Sequence, residues 1–158
     1  MLMELPTEAR EMLETELSRQ GLRATRQREQ VFALLLHWRD HPTADEVYAR
    51  IRNQLESISL ATVYNCLETL VQCGLVRVVN YEREPTRFCP NLSEHAHFQD
   101  RKTGRVYDVD LPKEVMDRLH SILPEGYEAD SIELYFHGRN LAKNDQGHEL
   151  SNKQKTEK

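Results

Sequence analysis

The period of the apolar residues switches near Gly74, and that switch limits what the chain can fold into. As far as Gly74 the apolar side chains recur every three or four residues; from Val76 onward they mainly alternate or gather in β-branched runs. Helices therefore come first and sheet second, which predicts an α+β class. At 158 residues the chain is long enough for one ordinary domain or two small ones sharing an interface.

Four helices are expected before the switch. Thr7, after Pro6, is a candidate N-cap for a first helix carrying Ala9, Met12, Leu13 and Leu17 and stopping at Gly21. Thr25 caps a second, with Val31, Leu34, Leu35 and Trp38 on its apolar face, ending near Asp40-His41-Pro42. Thr43-Ala44-Asp45-Glu46 has the form of a capping box opening a third, whose buried stripe is Ala44, Val47, Tyr48, Ile51 and Leu55. The fourth runs from Ser59 to Gly74. Leu60, Val63, Leu67, Leu70 and Val71 form its core face, leaving Ser59, Thr62, Asn65 and Thr69 nearer the open side. Tyr64, off the core stripe, can reach a base edge or a phosphate.

Val76 to Tyr81 and Thr86 to Cys89 then read as strands joined by the turn Glu82-Arg83-Glu84-Pro85. Helices followed by such a hairpin describe a winged helix-turn-helix, in which the fourth helix enters the major groove and the hairpin touches the backbone. Net charge is −5, with a pI of 5.8, so the average gives no support to nucleic-acid binding. The distribution does: Arg19, Arg23, Arg26 and Arg28 crowd a short segment against Glu29, and a local basic patch is enough to meet phosphates.

Past the hairpin, His97 to Asp100 and Arg105 to Val109 read as strands, Pro112 opens a helix bearing Val115, Met116, Leu119, Ile122 and Leu123, and Ser131 to His137 alternates. This half is too small for much core of its own, so dimerisation is the expected way to bury its apolar helix face. The domains are drawn as 1–89, a winged-helix DNA-binding domain; 90–138, a dimerisation and sensing domain; and 139–158, a polar tail expected to be disordered, with His148 in it. There is no internal repeat. No run reaches membrane-span length and Met1-Leu2-Met3-Glu4-Leu5-Pro6 lacks signal-peptide blocks, so the expected location is the cytoplasm.

Three potential metal ligands fall within ten residues at the junction of the two halves: Cys89, His95 and His97. If the segment is extended, the two histidines, two residues apart, share one side. A soft sulfur and two imidazoles suit Zn²⁺, Fe²⁺ or Co²⁺. The chain has three cysteines, an odd number, which argues against a disulfide framework. Cys66 and Cys73 lie in one predicted helix, roughly 10 Å apart along its axis, and cannot pair there.

The stretches Gly21-Leu22-Arg23-Ala24-Thr25-Arg26-Gln27-Arg28, His41-Pro42-Thr43-Ala44-Asp45-Glu46-Val47-Tyr48, Leu60-Ala61-Thr62-Val63-Tyr64-Asn65 and His95-Ala96-His97 resemble the ferric uptake regulator (Fur) superfamily over about residues 15 to 138. Tyr64-Asn65 and His41-Pro42-Thr43-Ala44-Asp45 lean toward its peroxide-responsive, PerR-like branch. The resemblance implies a homodimeric, metal-dependent transcription regulator, usually a repressor, on a pseudo-palindromic operator. Tyr64 and Asn65 are carried over as base contacts, with Ser59 and Thr62 on the same open side, and Arg23 and Arg28 as backbone or minor-groove contacts. His41, Cys89, His95, His97 and Asp108 are carried over as the ligands of one regulatory metal per subunit, Fe²⁺, Zn²⁺ or Mn²⁺.

Two positions depart from the family pattern. Cys89 replaces the hinge acid and resembles the zinc-responsive branch, leaving metal and signal open. Asp100 and Thr103 stand where the resemblance puts a CxxC pair, so no four-cysteine structural zinc is expected. Oxidation of Cys89, or iron-promoted oxidation at His41 or His95, are two routes by which peroxide could be sensed. No general base, nucleophile or phosphate-cradling glycine loop stands out, so an enzyme is not expected. The alternatives are a metal-independent DNA-binding dimer and a metalloenzyme using the same ligands.

Overall fold

The structure, a computed structural model, describes residues 2–142 and divides into two compact units, Met1–Leu92 and the chain from Ser93 onward. The first holds α1 (Thr7–Arg19), α2 (Arg26–Trp38), α3 (Ala44–Ile51) and α4 (Leu60–Gln72), then an antiparallel hairpin of β1 (Arg77–Val79) and β2 (Arg87–Cys89). Its core draws on every helix: Leu13 and Leu17, then Val31, Leu34 and Leu35, then Val47 and Ile51, then Val63, Leu67 and Leu70, all essentially without exposure. These residues recur at the three- and four-residue steps that place side chains on one helix face.

Three of the four helix starts are capped as the sequence expects. Thr25 Oγ1 accepts from Arg28 N, Ser59 Oγ from Thr62 N, and Thr43 with Glu46 forms a reciprocal capping box. α1 differs: Thr7 is its first helical residue and Pro6 stands at the N-cap with no side-chain bond. Its fixed φ carries the chain into the helix.

Three side chains depart from the expected faces. Trp38, the last residue of α2, is 52% exposed, because Arg39 turns left-handed at φ 48° and ends the packed face there; the Arg50 guanidinium lies 4.9 Å above its ring. Met12 is exposed beside the Leu13–Leu17 line. Thr69 is buried rather than open, since it follows Cys66 by three residues and shares its face. The outer line of α4 is Ala61, Tyr64, Asn65, Glu68 and Gln72.

The second unit is a three-stranded sheet of order β4-β3-β5, from β3 (His95–Asp100), β4 (Val106–Asp110) and β5 (Tyr135–Gly138), with α5 (Lys113–Ser121) between β4 and β5 in sequence. β3 is central, antiparallel to β4 and parallel to β5. The strand expected from Ser131 forms only from Tyr135, where register with β3 begins. Among the apolar residues expected on the helix face, Met116 alone is fully buried, while Val115 and Ile122 are exposed, Ile122 to 76%. The tail expected to be disordered lies outside the described residues from 143 on, with His148. Among the described residues, no helix is long and apolar enough to cross a membrane.

Candidate metal centre

In the first unit the donors are His41 and Cys89. His41 sits in the connection from α2 to α3, where Arg39 and His41, neither of them glycine, have φ 48° and 54°. Between them, Asp40 takes both Arg50 guanidinium nitrogens at 2.9 and 2.7 Å, and the Asp40 carboxylate raises the Arg50 pKa. Pro42 and Thr43 then run antiparallel beside β2: Thr43 bridges Arg87, and Phe88 N donates to Pro42 O at 3.0 Å. Continued one step, the same course sets His41 opposite Cys89. Both residues are buried, and the Cys89 Sγ lies within 4.8 Å of a His41 ring nitrogen.

In the second unit the sheet register does the positioning. His95 and His97 share one side of β3, and Asp108 of β4 is the cross-strand partner of His97. Their reactive atoms converge: the two Nε2 atoms are 3.1 Å apart, and Asp108 Oδ1 is 3.5 Å from His95 Nε2 and 3.4 Å from His97 Nε2. His95 Nδ1 donates to the Ser93 carbonyl at 2.6 Å, which fixes the tautomer and leaves the Nε2 lone pair directed into the cluster. Tyr135, partner of His97 on β5, stacks over the His97 ring at 5.9 Å.

Each unit thus holds a donor set: buried imidazole and thiol in one, two buried imidazoles and a half-buried carboxylate in the other. The mix of nitrogen, sulfur and oxygen fits a divalent Zn²⁺ or Fe²⁺ best, while the harder Mn²⁺ would rely on the imidazoles and the carboxylate. Ser93 and Tyr135 were not legible from ligand spacing, since a carbonyl and a stacked ring leave no motif. The other two thiols are different. Burial pushes the pKa of Cys66 and Cys73 up, which keeps them protonated.

The expected DNA-contacting residues are all in the first unit. Tyr64 is half exposed and Asn65 exposed on the outer line of α4, while Ser59 and Thr62 bond each other at 2.9 Å at its N-cap. Arg23 is exposed, and Arg28 Nη1 donates to the Arg23 carbonyl at 2.8 Å, bracing the loop before α2.

The pattern of the ferric uptake regulator family matches residues 19–137. The chain belongs to that family. The peroxide-responsive repressor PerR of Staphylococcus epidermidis is 34% identical over 97 residues, covering 61% of this Fur-family chain and 65% of the repressor. The chain therefore spans just under two thirds of that relative's length. The ferric uptake regulator of Helicobacter pylori shares the fold, with a TM-score of 0.73 at 20% identity over 89% of this chain and 95% of that one. The ferric uptake regulator of Pseudomonas aeruginosa, solved with manganese, gives 0.67 at 27% identity over 81% and 97%.

In this family member, Asp100 and Thr103 are bonded to each other. Thr103 Oγ1 donates to Asp100 Oδ2 at 2.9 Å, Lys102 N to Asp100 Oδ1 at 3.0 Å, and Gly104 N closes the turn on Asp100 O. The Lys102 N–H, with the Thr103 hydroxyl and the Asn140 N–H, holds the Asp100 pKa below the usual carboxylate value, against the opposing effect of burial.

Proposed function

We propose that this chain is a metal-dependent, DNA-binding transcription regulator, a repressor acting as a homodimer on a pseudo-palindromic operator. The observation that carries the reading is the convergence of His95 Nε2, His97 Nε2 and Asp108 Oδ1 in the second unit, matched by the His41–Cys89 pair in the first. His41, Cys89, His95, His97 and Asp108 are the proposed ligands of one regulatory divalent ion per subunit. Bound there, the ion would supply the positive charge that the carboxylate and thiolate donors complement.

In a symmetric dimer two α4 helices must meet half-sites on one face of the duplex, so metal binding would act on operator affinity through their separation and tilt. Tyr64 and Asn65 face the bases, Ser59 and Thr62 lie at the helix N-terminus near the phosphates, and Arg23 and Arg28 approach the backbone or minor groove. The family membership and the repressor named among the relatives support this assignment over an enzyme. Manganese in the Pseudomonas aeruginosa regulator supports a first-row ion. Peroxide as a signal has two supports: the peroxide-responsive relative, and a cysteine thiol within the candidate donor set, whose oxidation would remove a ligand.

The test is a fluorescence-anisotropy titration under anaerobic conditions, using duplex DNA from the chain's own promoter region and a scrambled duplex as control. One of Fe²⁺, Mn²⁺ or Zn²⁺ is expected to tighten specific binding by about tenfold or more, within the usual scale of allosteric coupling. Equal binding by apo protein would leave a metal-independent DNA-binding dimer as the answer.

A further inference from the structure

We propose that Arg87 is a positioning residue for metal capture, a strut that holds His41 in place opposite Cys89 before any ion arrives. The inference rests on the metal-dependent reading above. Residues two apart on a strand share a face, so Arg87 and Cys89 project together from β2. The Arg87 side chain is only 19% exposed, and a guanidinium so covered needs partners. Its Nη1 donates to the His41 carbonyl at 3.0 Å and approaches Glu46 Oε2 at 3.4 Å. That carboxylate oxygen also accepts Thr43 N at 2.9 Å, as half of the capping box of α3.

The strut therefore ties the strand that ends in Cys89 to the His41 carbonyl and to the first turn of α3. His41 needs it because its φ of 54° is a conformation L-residues seldom hold unaided. The Thr43–Arg87 bridge and the Phe88 N to Pro42 O bond fix the chain after His41, and Pro42 has no N–H of its own to contribute. The guanidinium bond falls on the His41 carbonyl itself. With it intact, ring and thiol are pre-placed and the ion is not required to reorganise the backbone.

The experiment uses the full chain and Co²⁺ as a spectroscopic probe, titrated against a competing chelator. Arg87→Met keeps the packing volume and removes the donors. It is expected to weaken Co²⁺ binding about tenfold, the scale for losing an outer-shell partner, and to move the ligand-field bands toward those of His41→Ala. The sulfur-to-cobalt charge-transfer band from Cys89 stays. Arg87→Lys, which keeps one donor, is expected to recover part of both. Arg87→Met in a His41→Ala background should cost nothing further. Wild-type affinity and bands in Arg87→Met, or a loss that simply adds to that of His41→Ala, would overturn the proposal. Should Arg87→Met fail to fold, Arg87→Gln, too short to span the gap, carries the same expectations. If wild-type protein gives no charge-transfer band, and His41→Ala and Cys89→Ser bind Co²⁺ as it does, the metal reading falls and the strut with it.

Discussion

His95 and His97 stand two residues apart on β3, yet their surroundings give them different work. The Ser93 carbonyl fixes the His95 tautomer, while His97 lies between Asp108 on one neighbouring strand and the Tyr135 ring on the other. Zn²⁺ closes its shell with four donors, whereas Mn²⁺ and Fe²⁺ commonly take more. His41, Cys89, His97 and Asp108 would complete a zinc shell, with His95 as the additional donor. His95→Ala is thus expected to lower Mn²⁺ or Fe²⁺ affinity by about tenfold or more and Zn²⁺ affinity far less, measured by chelator competition. Equal losses for all three ions would put His95 in the zinc shell as well. The His-x-His spacing was legible because a strand has period two. The carbonyl that orients the ring was not, since every residue carries one.

At the level of elements, the helices were legible because each carries an apolar period, to which α2, α3 and α4 add a side-chain cap and α1 and α5 a proline at the N-cap. The turn between β3 and β4 shows what local chemistry adds. Asp100 accepts from Lys102 N and Thr103 Oγ1, and its pKa is held low by those bonds. A carboxylate with a depressed folded-state pKa contributes stability that is fully present above its unfolded value. That contribution fades as pH falls through the folded value. Asp100→Asn is therefore expected to melt below wild type at about pH 7, with the gap unchanged down to about pH 4 and narrowing only below that, followed by circular dichroism. A gap that widens on acidification would reverse the assignment. β5 was legible only in part. The alternation from Ser131 marks an extended segment, but its backbone meets β3 only from Leu134, whose carbonyl accepts His97 N at 3.0 Å, and the ladder register runs from Tyr135 on.

For the whole molecule, the exposed apolar residues of the second unit point beyond one chain. Val115, Ile122 and Phe136 are 40%, 76% and 50% exposed and Leu123 is 36% exposed, apolar side chains that a partner surface would cover. A second copy covering them is the proposed homodimer. Ile122→Glu is expected to shift sedimentation equilibrium from dimer toward monomer and to weaken operator binding, since paired half-sites need paired α4 helices. An unchanged mass would move the interface elsewhere.

By itself the sequence determined the α+β order, the helix starts, the winged hairpin and the short-range ligand spacing, because period, capping and turn chemistry are local properties of a chain. Only the tertiary structure decided which distant residues meet. The left-handed turn at His41 beside β2 and the reach of Arg87 to the His41 carbonyl depend on two segments far apart in sequence, and the register that sets Asp108 against His97 depends on where the β3–β4 turn closes. Such meetings are fixed by packing and strand pairing, and no local pattern encodes them.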